Sequence, residues 1–493
     1  MKKAPLIISL LICYFLNEPS FAQKQDRIWL FPDGAGIDFN DLNNPIAITS
    51  NIHDPDLASF GSISDSLGNL LFYFKSDSLN FNSGKIYNSQ NNLLINGTGL
   101  LSYPLTDQSC IILPDPLSSN KYYVILTSRT GLGGNRISYN IVDMSSNGGA
   151  GSVISKNNIL IPDFISEKLV AVKHANGRDW WLITQSNGID RLYYKILFSN
   201  ESFRIDTQSI GGGNNINRFF GQMCISKDGS IFAVPSYNAS FELYNFDRCN
   251  GRLSDYVELG DTISTKSNHY WGCSISPNNR FLYTSSYSDS AKYVYQFDLQ
   301  ASNIRSSRQT IFTYPNTGLL YGIFIGHHLL GPDDKIYIAK GGGPNFNSYY
   351  THHLDVILSP DSFGTACNYD SCHLDLGTGY TWVSLPNMPN YNLGPVTGSV
   401  CDSLSTGIDD RIDKQGKLFF YPNPASDLIK FNIETEKRIQ VMIYDQLGRM
   451  IHHEFIYTNE SINIFSLLPG VYTIRIVLDG KELQQKLIKI KND

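Results

Sequence analysis

Charge is scarce in this chain: Asp, Glu, Lys and Arg make up 17% of its 493 residues, and the formal net charge is -6. A surface so thin in Lys and Arg offers no basic face to neutralise phosphates, which argues against nucleic acid as a partner. Long apolar runs are missing too. Beyond residue 22 no stretch reaches the roughly 18 uninterrupted apolar residues a membrane helix needs, so no membrane-spanning segment is expected. The common catalytic signatures are also absent: there is no Gly-x-Ser-x-Gly elbow, no His-Glu-x-x-His pair and no phosphate-cradling loop. The runs Gly211-Gly212-Gly213 and Gly341-Gly342-Gly343 precede no expected helix and read as loops. Cysteine is sparse. Of eight, Cys13 lies in the N-terminal segment, and the other seven (Cys110, Cys224, Cys249, Cys273, Cys367, Cys372 and Cys401) are odd in number, so at least one is unpaired. The spacing of Cys367 and Cys372 suits a loop-closing disulfide in an oxidising compartment, whereas zinc sites prefer two closer pairs.

What the chain has in abundance is material for strands and turns: 29 Tyr, 27 Phe, 40 Gly and 21 Pro. An all-β fold is expected, and the length calls for at least two domains. The first 22 residues read as a signal peptide. Lys2 and Lys3 precede an apolar stretch from Leu6 to Leu16, and Ser20-Phe21-Ala22 offers a small-x-small exit, which places cleavage between Ala22 and Gln23. Cys13 follows Ile12 rather than a small residue, so lipid attachment there is not expected.

One pattern recurs through the middle: an apolar strand, a polar tight turn and a second, aromatic-rich strand. It appears at Phe60–Phe74, Ser109–Leu126, Leu169–Thr184, Gly221–Pro235, Gly272–Ser285 and His327–Ala339, with turns about 50 to 57 residues apart. Pro277 and Pro332 preset φ as the turn begins, while Gly68, Gly177, Gly229 and Asn279 accept positive φ. A following strand often ends on Asp, as at Asp143, Asp247 and Asp298. Units of this size, each a small antiparallel sheet unable to bury both faces alone, are satisfied by radial packing, so residues 23–400 are expected to form a β-propeller. Six or seven blades fit, seven being favoured if Arg27–Phe31, Pro45–Thr49 and Thr378–Leu385 combine into a closing sheet. The region also resembles a family of secreted bacterial propeller-like proteins, through Gly68–Tyr73, Asn96–Gly99, Gly331–Tyr337 and Leu385-Pro386-Asn387. That resemblance implies architecture and export rather than a defined reaction. Asp334 departs from it, standing where such turns more often carry Gly.

Residues 401–415 are polar and short of aromatics and read as a linker. From residue 416 onward, alternating strands and an Asp479-Gly480 turn suggest a small immunoglobulin-like β-sandwich, with Tyr472, Ile474, Ile476 and Leu478 on one face. Three motifs follow in order: Tyr421-Pro422-Asn423-Pro424, then Tyr444-Asp445 with Gly448-Arg449, then Pro469-Gly470 with Tyr472, before a last strand holding Lys489. Together they resemble the type A C-terminal sorting domain of the type IX secretion system. The resemblance implies that the secretion machinery recognises this domain after the protein has crossed the inner membrane. It also implies export to the cell surface or beyond.

Chemistry in the propeller is harder to read. Neighbours on a strand face opposite ways, so His327 and His328 are not expected to share a metal, and His352-His353 offers no third ligand. Asp333 and Asp334 sit in a hairpin turn, where Asp bonds its own backbone. No metal or other cofactor is expected. A pocket, if present, belongs at the axis where first strands converge, with Gln108, Lys168, Gln222, His269 and His327 as its candidate residues. Two functions remain: a binding module for a glycan or protein, favoured, and a secreted hydrolase or lyase acting at the axis. A surface-layer component, marked by self-association, ranks third.

Overall fold

The computed structural model describes residues 23–402 and 420–491, apart from the segments 54–58, 78–79, 107, 131–133, 189–190, 200–201, 213–219, 238–240, 261–268, 289–290, 316–322, 342–347, 432–437, 446–448, 458–459 and 479–480. The signal peptide with Ala22, most of the expected linker, the Asp479-Gly480 turn and Gly448 lie outside the described residues. The chain divides into two compact units, one ending at Asp402 and one beginning at Ser403.

In the first unit, antiparallel sheets succeed one another in chain order, each starting from an innermost strand. The first holds Ile28–Leu30, Asp33–Asp38 and Ile46–His53, and the second Phe60–Ser64, Leu70–Asp77 and Asn80–Asn88. A seven-stranded sheet follows because one strand, Ser152–Lys173, serves two sets of partners. Its first half pairs with Asn135–Asp143 and its second with Trp180–Ser186, through several register shifts. Sheets starting at Cys224, His269 and Phe324 complete the unit. Successive inner strands pack side by side. Trp29 and Ile37 of the first sheet share a core with Tyr337, Leu354 and Val356 of the last, which closes a propeller-like ring.

Burial follows from this arrangement. Strands near the middle are covered on both faces, so Trp180–Ser186 and Phe281–Tyr287 are buried at every position, whereas outer Ser202–Ser209 is largely exposed. The recurrent turns share one closing bond, in which the N–H of the residue that opens the hairpin donates across a span of four or five residues, as from Asp65 to Asn69 O, Ser226 to Ile231 O and Ser276 to Phe281 O. Gly68, Gly177, Gly229, Asn279 and also Asp334 adopt positive φ there. The strand-ending aspartates cap the next turn, with Asp143, Asp247 and Asp298 accepting the N–H two residues on.

Two expectations need correction. Thr378–Leu385 adds no strand to the first sheet; a single bridge joins Asp33 and Tyr380, and the chain then turns inward. Val383 O accepts from His327 N–H, and a Cβ on Gly326 would lie 1.8 Å from that oxygen, so this approach requires glycine. Cys367 and Cys372 are not joined; the disulfide links Cys249 to Cys401. Cys367 ends a short 3-10 turn and is buried, while the extended strand Tyr369–Asp375 carries Cys372 away, with Sγ 3.0 Å from Lys340 Nζ. The bond also places Cys401 in the first unit rather than in a linker.

The second unit contains a three-stranded sheet (Phe420–Tyr421, Leu428–Phe431, Ser461–Asn463) and a four-stranded one (Met450–Ile456, Ile439–Tyr444, Gly470–Leu478, Lys481–Lys489). They enclose one core of Ile429, Val441, Ile443, Ile474, Ile476 and neighbours.

Candidate functional site

The inner strands bend over a cavity of about 700 Å³ whose lining includes Asp26, Gln108, Gln222, His327, His328 and Asn387. Three of the five residues expected at the axis are therefore brought together. They do not present free functional groups to a ligand. Inner strands form no ladder with the inner strands beside them, so backbone groups facing the axis need other partners. Gln222 supplies them: its Oε1 accepts from Cys273 N–H and His328 N–H at 3.0 Å each, and its Nε2 donates to His328 O at 2.7 Å. Gln108, at φ 45°, pairs in the same manner with Met223.

The segment after Leu385 enters the same space. Asn387 Nδ2 donates to Gln108 O (3.0 Å) and Leu169 O (2.7 Å), Tyr391 OH to Ile112 O (2.8 Å), and Arg248 to Gly394 O (2.6 Å). This stretch runs across the axis as a plug, and the Cys249–Cys401 bond fastens its end. The Leu385-Pro386-Asn387 motif is thus part of the closure.

His327 and His328 break the expected alternation. The ladder pairs Ile325 with Lys340 and next His328 with Ile338, so Gly326 and His327 together oppose Ala339 in a bulge. Both imidazoles are buried and line the one cavity. Burial pushes His327 down to about 4, and burial together with the charge of His327 pushes His328 down to about 3. Both are neutral at pH 7. Leu385 N–H donates to His327 Nδ1 at 3.4 Å, whereas neither ring nitrogen of His328 has a hydrogen-bond partner. Among the described residues, no group of three His, Cys, Asp or Glu is placed to hold a metal ion. Asp333 binds Lys335 and Tyr337, and Asp334 pairs with Lys227, as turn residues.

Lys168 and His269 do not line the cavity. Lys168 is fully buried, its Nζ donating to Pro235 O (2.9 Å) and Ser236 Oγ (2.6 Å). His269 stands at the start of its strand with Nδ1 2.5 Å from Tyr237 O. Around it lies a ring cluster that the sequence reading did not single out. His269 stacks on Tyr237 (4.5 Å, 20°), Tyr237 meets Trp271 edge-on (5.5 Å, 75°), and Trp271 stacks on Phe220 (6.3 Å, 16°). Tyr287 links this group to Phe324, which is 48% exposed. Phe220, Tyr237, His269 and Trp271 are half-buried, and Trp271 Nε1 has no hydrogen-bond partner. The readable signal was the aromatic run His269-Tyr270-Trp271 itself, since a bulge between Tyr270 and Cys273 interrupts strict alternation there.

A third cluster is internal. Lys340 Nζ lies 2.5 Å from Asp355 Oδ1, both fully buried, and Tyr314 and Tyr369 donate to Asp355 Oδ2. The Asp355 carboxylate outweighs burial and holds Lys340 above the usual lysine value. Fully paired charge of this kind is structural.

In the second unit one motif residue bonds the last strand and others hold local turns. Asn423 donates to Lys486 O (2.7 Å) and accepts from Ile488 N–H (2.8 Å), Asp445 binds Arg449 (2.7 Å), and Tyr472 OH donates to Leu468 O (2.7 Å). Tyr421 is exposed, and Lys489 is buried with Nζ on Ile490 O.

Residues 419–491 match the family described as the secretion system C-terminal sorting domain. The terminal unit is a type IX sorting domain, and it directs export through the outer membrane to the cell surface or extracellular space. No curated protein matches the chain in sequence. Similar solved structures include a Lactobacillus plantarum protein (11% identity, TM-score 0.44, covering 73% of this chain and 99% of that one). The periplasmic gluconolactonase of Pseudomonas aeruginosa is similar at 10% identity and TM-score 0.37, with 85% and 99% covered. The Cps50 (Swd1) β-propeller domain of Myceliophteria thermophila is similar at 9% identity and TM-score 0.34, with 65% and 94% covered. At these TM-scores the likeness carries no inference about chemistry.

Proposed function

We propose that this type IX cargo is a seven-bladed β-propeller that holds a glycan on the ring cluster around Trp271 once it is outside the cell. Seven blades are supported by the inner strands Ile28–Leu30, Phe60–Ser64, Cys110–Pro114, Cys224–Ile225, His269–Ile275 and Phe324–Leu330, with the second half of Ser152–Lys173 as the seventh. Export begins with cleavage between Ala22 and Gln23, and the terminal unit is read as an immunoglobulin-like sandwich from its two sheets around one core.

The ligand class rests on the half-buried rings of Phe220, Tyr237, His269 and Trp271. A pyranose presents a face of C–H bonds that suits the negative face of an aromatic ring, and its hydroxyls suit the half-buried imidazole of His269. The test is affinity electrophoresis of the full mature chain in gels cast with different polysaccharides. Retardation by at least one polysaccharide, lost in Trp271→Ala and reduced in His269→Ala, is expected. Failure of every polysaccharide to retard the chain, or equal retardation of Trp271→Ala, overturns the reading.

A hydrolase or lyase acting in the cavity is the second reading, favoured by the unpartnered ring of His328. It requires turnover of a substrate that His328→Asn abolishes while gel retardation persists.

A further inference from the structure

Cys224 and Cys273 lie on neighbouring inner strands, Cys224–Ile225 and His269–Ile275, which belong to different sheets and share no ladder. Only isolated bonds join these strands, such as Gln222 N–H to Trp271 O at 2.9 Å and Cys273 N–H to Gln222 Oε1 at 3.0 Å. The two Sγ atoms are nevertheless 3.0 Å apart, nearer than unbonded sulfur atoms rest in van der Waals contact.

We propose that Cys224 and Cys273 form a second disulfide in the exported protein. The sulfurs already stand within about 1 Å of the length of an S–S bond. The compartment favours it, because a chain that crosses the periplasm meets thiol-oxidising proteins there. Two S–H bonds break and one S–S bond forms. The two electrons and two protons pass to the disulfide of a thiol-exchange oxidant, which leaves as a dithiol. Cys273 is fully buried in the finished ring and Cys224 is half-buried, so the bond forms as the two sheets meet, before Cys273 is sealed. Cys110, Cys367 and Cys372 remain as thiols, which accommodates the odd number of cysteines. The bond fixes the strand that carries Trp271 against the segment that carries Phe220 and Gln222, so it holds two rings of the cluster in register. The covalent inference does not depend on the ligand.

Full-length chain expressed in a host with the secretion machine and recovered outside the cells is unfolded with an alkylating agent and no reductant, then digested and analysed by mass spectrometry. The expected product is a joined peptide pair bearing Cys224 and Cys273, short of two hydrogens and separated by reductant. Cys224→Ser is expected to leave Cys273 alkylated. Alkylation of both residues in the unsubstituted chain while Cys249 and Cys401 stay joined overturns the inference, as does either residue bonded to another cysteine.

Discussion

Gln108 and Met223 are joined through a single side-chain amide: Nε2 donates to the Met223 carbonyl at 2.8 Å, and Oε1 accepts from the Met223 N–H at 2.7 Å. The amide reproduces what a ladder partner would offer, at Met223, which stands just before Cys224–Ile225 and has no place in its ladder. Gln222 repeats the arrangement toward Cys273 and His328.

Gln108→Ala leaves a buried N–H and a buried C=O of Met223 without these partners. A loss of about 2 to 4 kcal/mol is expected, read as a lowered urea midpoint with the slope unchanged. A purely catalytic glutamine would leave the midpoint in place.

Acid should weaken the fold through the paired histidines. Their folded values, about 4 for His327 and about 3 for His328, lie below the ordinary 6.5. Above pH 6.5 both rings are neutral in either state, and their contribution is fully present. As pH falls below 6.5 the unfolded chain takes up protons that the folded chain resists, so stability is lost until the folded values are reached. For His327 alone this amounts to about 3 kcal/mol. His328→Leu should narrow the gap between urea midpoints measured near about pH 7 and about pH 4; an unchanged gap would contradict the burial argument.

Lys340→Met strands the Asp355 carboxylate in a site with no solvent exposure. A cost of about 3 to 5 kcal/mol is expected, whereas the double change Lys340→Met with Asp355→Leu should recover part of it. Thermal unfolding of both variants decides.

Export depends on the terminal unit. A chain ending at Asp402 should fold and remain in the periplasm, while the full chain leaves the cell; fractionation and immunoblotting measure both. Equal release of the two chains would make the terminal unit dispensable.

Local features were legible in the sequence, and long-range ones were not. Positive φ at Gly68, Gly229 and Asn279 follows from turn chemistry contained in a few residues. The order of the motifs at Asn423, Asp445 and Pro469 likewise marks the sorting domain from sequence alone. By contrast, Cys249 meets Cys401 across 152 residues, and no spacing rule reaches that far. The same holds for the plug: Leu385-Pro386-Asn387 stood out as a motif, but its partners Gln108 and Leu169 lie more than 200 positions away. His327 and His328 misled because strand alternation assumes an unbroken ladder, and a bulge occurs between Ile325 and His328.

The Cys249–Cys401 bond bears on survival outside the cell, where proteases are common. Any single cut between residues 250 and 400 yields two fragments that remain one covalent molecule, because the sulfur link spans the break. A nicked protein of this kind keeps its mass on a non-reducing gel and can retain its ring of sheets. The same link ties residue 401 to residue 249, so the end of the first unit cannot peel away from its ring of sheets.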